Sequence, residues 1–192
     1  MDVRVATTTD VSAVTATIAS AFADDPIWGW VFPESGLHPD WWQFVVEGAV
    51  PQGRVRTTMQ CEAVAVWIPP GGAEFTPEDE HRIGPLVRHL VGDRNDEVMD
   101  ALDTFDAAHP REVPHYYLSL LATHEDHRGR GIGMALLAEN LERIDEEHAP
   151  AYLESSNPAN LARYERVGFT ACGEFTVPVG GQTVTMMWRE PR

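Results

Sequence analysis

The stretch His115-Tyr116-Tyr117-Leu118-Ser119-Leu120-Leu121-Ala122-Thr123, followed after a polar turn by His127-Arg128-Gly129-Arg130-Gly131-Ile132-Gly133-Met134, decides how this chain folds. The first segment is a strong strand pattern, and the second leads into an amphipathic helix over about 131–148. A glycine loop between a strand and a helix places free backbone N–H groups and a positive helix end where phosphate oxygens can sit. Glycine lets a ligand approach the backbone closely, and Arg128 and Arg130 add cationic groups. A diphosphate is the natural occupant, although glycines also serve a tight turn with no ligand at all. The Gly-Lys-Ser/Thr ending of a nucleotide-hydrolysing loop is absent, and the glycines at 129, 131 and 133 miss the third position of a dinucleotide fingerprint.

On the N-terminal side, residues 2–6 alternate like a first strand, and Thr9-Asp10 offers a cap for a helix carrying Val11, Val14, Ile18, Ala21 and Phe22. Residues 23–30 break that helix, and 36–50 read as a second helical piece with Trp41, Trp42 and Phe44. Segments 54–58 and 62–68 read as an adjacent antiparallel pair. Two acidic helices between 77 and 108 read as a solvated insert without chemistry. On the C-terminal side follow a strand at 151–156, a short helix at about 158–167, and strands at about 169–178 and 182–189. There is no internal repeat.

The chain has 192 residues and 43% hydrophobic content, which suits one domain, residues 1–192, around a real core. Its formal net charge of −16 repels nucleic acid and anionic membranes and attracts cations, so neither of the first two is an expected partner. Cys61 and Cys172 have no metal-ligand spacing and read as buried thiols. The N-terminus lacks a basic segment followed by an apolar one, and no run approaches the roughly 20 apolar residues that span a bilayer. The expected location is cytoplasmic. His124, Asp126 and His127 sit in the turn before the glycine loop without a fourth ligand at usual spacing, so no metal is expected.

Arg128-x-x-Gly131-x-Gly133, after a hydrophobic strand and opening a helix, resembles the acetyl-CoA signature of the GNAT superfamily of N-acetyltransferases. The run from Tyr152 to Phe169, a strand, a short helix bearing Tyr164, and Gly168-Phe169, is similar to that superfamily's second segment. Within the superfamily the puromycin N-acetyltransferase branch looks nearest, through Val3-Arg4-Val5-Ala6-Thr7, Ala21-Phe22-Ala23-Asp24, Ala63-Val64-Ala65-Val66-Trp67 and Arg163-Tyr164-Glu165-Arg166. The chain departs from that branch at Asp25, which stands where an aromatic residue lies near substrate.

The resemblance implies an α/β (α+β) fold with a mixed, mostly antiparallel central sheet of six to seven strands flanked by helices. It implies acetyl-CoA as co-substrate, a primary amine acceptor, and direct attack in a ternary complex. Leu121, Ala122 and Thr123 then splay from the neighbouring strand toward pantetheine, with the Leu121 N–H or its neighbour's on the oxyanion. Residues 128–134 hold the diphosphate, and Asn157 and Asn160 contact the cofactor. Tyr164 protonates the leaving thiolate.

An alkylammonium of pKa about 10.4 must lose a proton before it attacks. Glu154 is the first candidate base, because strand alternation gives it the same face as Tyr152, while a solvent-exposed strand glutamate is the alternative. His115, Tyr116 and Tyr117, with Trp28 and Trp30, are candidates to line the acceptor pocket, and their rings suit a cationic or ring-bearing small amine. A non-catalytic acyl-CoA sensor and a protein N-terminal or lysine acetyltransferase stay open as alternatives, as does monomer against homodimer.

Overall fold

The computed structural model describes residues 2–33, 39–178 and 180–192. Its strands are β1 (Val3–Val5), β2 (Val55–Thr58), β3 (Ala63–Ile68), β4 (Tyr116–Thr123), β5 (Ala151–Ser155), β6 (Thr170–Thr176) and β7 (Thr183–Arg189). The helices are α1 (Val11–Phe22), α2 (Pro26–Val31), α3 (Pro39–Ala49), α4 (Pro77–Val91), α5 (Asn95–Ala108), α6 (Ile132–Glu146) and α7 (Leu161–Arg166). The strands form one seven-stranded sheet in the order β1-β2-β3-β4-β5-β7-β6. All neighbours are antiparallel except β4 and β5, which run parallel. The expected mixed, mostly antiparallel sheet is therefore the observed one.

β3 is buried along its whole length, as its unbroken apolar sequence demands of a central strand covered on both faces. Val64 and Val66 join a core formed with α1 and α3, to which Val87 of α4 and Val98 of α5 also belong. Ala63, Ala65 and Trp67 face the other way, onto Leu136, Leu137, Leu141 and Ile144 of α6. The small side chains of Ala63 and Ala65 let that helix lie close to the sheet.

β4 changes faces partway along. Trp67 pairs with Leu118 and Val66 with Leu120, so Ser119 is an extra residue opposite no partner, a β-bulge. Leu118 consequently packs on the α6 side, and Leu120 and Ala122 on the α1 side. The parallel pairing with β5 covers only Tyr116 to Leu118 against Ala151 to Leu153. From Ser119 onward the two strands part, as expected for the stretch Leu121–Thr123.

Three readings change on contact with the structure. Residues 23–30 do not merely break a helix: Asp25 caps the short helix α2, its Oδ1 accepting from the N–H groups of Ile27 at 2.9 Å and Trp28 at 3.2 Å. The helices at 77–108 are not a solvated insert, because Val87, Val98 and Ala101 are buried in the core. Cys172 is exposed on β6, whereas Cys61 is buried as expected. Of the helical piece expected over 36–50, residues 36–38 lie outside the described residues, 39–49 form α3, and Val50 begins a 3-10 turn.

β7, next to the far edge of the sheet, is fastened to α6 by an ion pair between a buried arginine and a part-buried aspartate. Both guanidinium Nη atoms of Arg189 donate to Asp145 at 2.7 Å, and its Nε donates to the Val167 carbonyl at 2.9 Å, with the side chain only 4% exposed. Replacing one member of such a pair strands the other's charge. Arg189→Leu is therefore expected to lower unfolding free energy by about 3 kcal/mol in urea titrations, and Arg189→Leu/Asp145→Leu to recover part of it. A single variant within about 0.5 kcal/mol of the parent would contradict this.

Candidate active site

The loop before α6 is built around two left-handed glycines, Gly129 at φ 78° and Gly131 at φ 74°, and Gly131 caps the helix. The first intrahelical bond runs from Ala135 N–H to the Gly131 carbonyl at 2.9 Å, so the N–H groups of Ile132, Gly133 and Met134 have no acceptor within the helix. Gly133 sits against β4, where an added Cβ would collide with Thr123 Oγ1. No atom lies within 4 Å of the position a Cβ would take at Gly129 or Gly131, so the loop has room for an anion. A diphosphate fits this cradle by chemistry and by space.

The two loop arginines part company. Arg128 donates to the carbonyls of Ser20 at 2.9 Å and Ala21 at 3.1 Å, fastening the loop to the C-terminal end of α1. It also lies 3.8 Å from Asp24, an exposed ion pair. Arg130 is exposed and has no such partner among the described residues, which leaves its charge available to a ligand.

A cleft of about 600 Å³ runs from this loop to the parting of β4 and β5. Leu121 and Thr123 form one wall and Asn157, Asn160 and Tyr164 the other, with Gly129, Gly131, Ile132, Gly133 and Met134 at its end. Ala122 turns its methyl into the α1-side core, so only its backbone can serve a ligand. Asn157 Oδ1 accepts from Ala159 N–H at 3.0 Å, and Asn160 Oδ1 accepts from Arg163 at 3.0 Å. Both amide side chains are thus held at the cleft wall.

Tyr164 stands on α7 with its ring against Phe169, centroids 6.2 Å apart. Its hydroxyl makes no hydrogen bond to the described residues, and burial, with a smaller contribution from Asp25, pushes it up to about 12. It therefore holds its proton at neutral pH. Asp25 lines the same cleft and accepts from Ser156 Oγ at 2.5 Å, joining α2 to the segment after β5. Burial raises its carboxyl above the usual range.

Glu154 occupies the first position of β5 beyond its pairing with β4. Tyr117 Oη donates to its Oε2 at 3.0 Å and Tyr152 Oη to its Oε1 at 2.9 Å, which puts Tyr152 and Glu154 on one face as alternation predicts. The side chain is 3% exposed, so the solvent-exposed alternative is wrong. Burial pushes the carboxyl up to about 7 against the pull of the two hydroxyls. The carboxyl sits behind the cleft wall, on the α5 side of the sheet, while Tyr164 packs with the α6-side core.

His115 joins the Glu154 group, its ring packed on Tyr152 at 5.4 Å and Trp188 at 5.1 Å. Tyr116 does not. Alternation carries it to the α6 side, where it meets Trp67 edge-on at 6.4 Å and donates to Glu147 at 2.6 Å. Trp28 is also spent elsewhere, against Trp41, Trp42 and Phe32, and Trp30 lies under the Arg94 guanidinium at 4.7 Å. Neither indole lines this cleft, nor do His115, Tyr117 and Glu154.

His109 was missed. Just past α5, it sets Nδ1 4.0 Å from Glu154 Oε1. No motif marks it, and the acidic helix before it hides it. Glu74 was missed too: it accepts a hydrogen bond from Ser119 Oγ, the bulge residue.

Residues 56–169 match the family model described as the acetyltransferase (GNAT) family. The chain belongs to that family. It is 39% identical over 77 residues to an acetyltransferase of Agrobacterium fabrum, a match covering 40% of this chain and 55% of the relative, so the match spans about half of that relative's length. Among solved structures, a histone acetyltransferase HPA2 and related acetyltransferase from Corynebacterium glutamicum shares the fold at 24% identity and TM-score 0.68, covering 99% of this chain and 96% of that one. Arylalkylamine N-acetyltransferase 2 of Aedes aegypti shares it at 13% identity and TM-score 0.72, covering 100% and 99%. A Drosophila melanogaster polyamine N-acetyltransferase that forms N-acetylagmatine does so at 14% and TM-score 0.68, covering 98% and 99%.

Two measurements check this geometry. Gly133→Ala is expected to destabilise the protein by about 1–3 kcal/mol through the collision with Thr123, and Thr123→Ala in the same chain to restore most of the loss, read by denaturant titration. Glu154 carries a folded-state value above its unfolded one, so its stabilising contribution is present below pH about 4.5 and is lost as pH rises through about 7. Glu154→Gln should remove up to about 3 kcal/mol of that pH-dependent loss in a comparison of unfolding at pH 5 and pH 8. Equal pH dependence in parent and variant would contradict the burial assigned to this carboxyl.

Proposed function

We propose that this chain is an N-acetyltransferase that moves the acetyl group of acetyl-CoA to the primary amine of a cationic small molecule, by direct attack in a ternary complex. The observation that carries this reading is the placement of Tyr164 and Glu154 across the opening between β4 and β5. A group held protonated faces one side of the sheet, and a carboxyl that titrates near neutrality sits on the other.

The glycine loop binds the diphosphate, and Arg130 adds charge to it. The unpaired edge of β4 from Ser119 to Thr123 offers backbone groups to pantetheine, and the Leu121 N–H or its neighbour's serves the oxyanion. Glu154, directly or through one water, removes a proton from the alkylammonium. The freed amine forms the new C–N bond as the C–S bond breaks, and Tyr164 gives its proton to the leaving sulfur. The buried carboxyl of Glu154, in a chain of net charge −16, favours a cationic acceptor. No described helix is long and apolar enough to cross a membrane, and we place the protein in the cytoplasm.

The test is CoA release from acetyl-CoA against a panel of amines including agmatine, polyamines, arylalkylamines, puromycin and a lysine peptide. The small cationic amines are expected to turn over. Tyr164→Phe should lower kcat by about 100-fold with little change in KM. In the parent, kcat/KM should rise with pH to a bend near 7, and Glu154→Gln should remove that bend. Acetyl-CoA binding with no amine acetylated would favour an acyl-CoA sensor, and turnover of the lysine peptide alone a protein acetyltransferase.

A further inference from the structure

A base that takes one proton per turnover must lose it before the next, and Glu154 is badly placed to do so. Its carboxyl is nearly sealed from solvent, with both oxygens engaged by the Tyr117 and Tyr152 hydroxyls. Burial and the neighbouring carboxylate raise both phenols well above neutrality, so neither tyrosine ionises to carry the charge away.

His109 faces the same carboxyl, Nδ1 at 4.0 Å from Oε1, with its own side chain 23% exposed. Its ring is held by edge contacts to Tyr117 at 4.8 Å and Tyr152 at 5.2 Å, and by His115 at 5.1 Å. The imidazole thus lies between a sealed acid and the surface. The other charged groups around it are Arg111, which favours the neutral ring as burial and His115 do, and Asp106, which favours the cation. Burial leads these influences and pushes the imidazole down to about 4, so near neutral pH the ring is an empty proton acceptor.

We propose that His109 is the outlet through which Glu154 returns its proton to solvent, an inference that rests on Glu154 being the base. The alkylammonium N–H bond breaks and the proton goes to the Glu154 carboxylate, giving the neutral acid. The acid then passes it to the free electron pair of His109 Nδ1, giving carboxylate and imidazolium. The imidazolium releases it to bulk water, and both side chains return to their starting states. The separation exceeds the roughly 3 Å of a direct N···O hydrogen bond, and one water or a small ring rotation spans it. With the acid near 7 and the ring near 4 this transfer is uphill by about a thousandfold, so the imidazolium is a transient carrier and its release to water draws the proton through.

The first test needs no substrate. A jump from pH 6 to pH 8 is followed by the infrared carbonyl band of the protonated carboxyl, assigned to Glu154 by its loss in Glu154→Gln. In ligand-free His109→Phe, and in His109→Gln as a variant that keeps a polar side chain, the band should decay at least about 10-fold more slowly than in the parent. Decay at the parental rate in both overturns the proposal. The second test is turnover at low buffer: His109→Ala should lose about 10-fold in kcat with the amine KM unchanged, and added imidazole should restore it. A loss that imidazole does not restore also overturns it. If the parent acetylates no amine, the base reading fails, and the infrared decay still decides whether His109 is the outlet.

Discussion

The architecture depends on one extra residue in β4. Ser119 has no partner across β3, so the strand twists, exchanges its faces, and leaves β5 after Leu118. A parallel pair in the middle of a sheet ordinarily continues, because unpaired backbone groups are costly when buried. Here they face a cleft, where a peptide-like ligand can satisfy them. Gly133 makes the same opening usable from the other end. With no side chain, it lets α6 approach Thr123 closely enough that the helix N-terminus meets the cleft.

The bulge also sorts the charges. Before it, Tyr117 points to the α5 side and joins Tyr152 around Glu154; beyond the opening, Tyr164 belongs to the α6-side core. Two titratable groups are thereby kept in separate surroundings, and burial shifts each upward from its ordinary value, the carboxyl to about 7 and the phenol to about 12. Glu154, 3% exposed, is thus set apart from the cleft's other end, which Arg128, Arg163 and the glycines that open α6 line.

Legibility followed how local the cause was. The glycine loop and its strand could be read because left-handed turns and a free helix end require those residues in sequence, whatever packs around them. Tyr152 and Glu154 could be placed on one face by alternation alone. Tyr116 could not be separated from Tyr117 as a pocket candidate without knowing which face carried α6. Trp28 and Trp30 looked available because the short helix α2, which rests on the Asp25 cap and Pro26, was read as an interruption. His109 and Glu74 were invisible, since each reaches the site from a segment distant in sequence and carries no motif. The helices before His109 show an acidic outer face, and their buried stripe of Val87, Val98 and Ala101 is too sparse to stand out.

The most direct test of this account is a crystal structure of the protein with CoA bound. Diphosphate oxygens are expected within about 3 Å of the N–H groups that open α6, and the pantetheine chain along the free edge of β4. The sulfur is expected beside the Tyr164 hydroxyl. CoA bound away from the parting of β4 and β5, or those strands paired through Thr123 with no ligand between them, would contradict it.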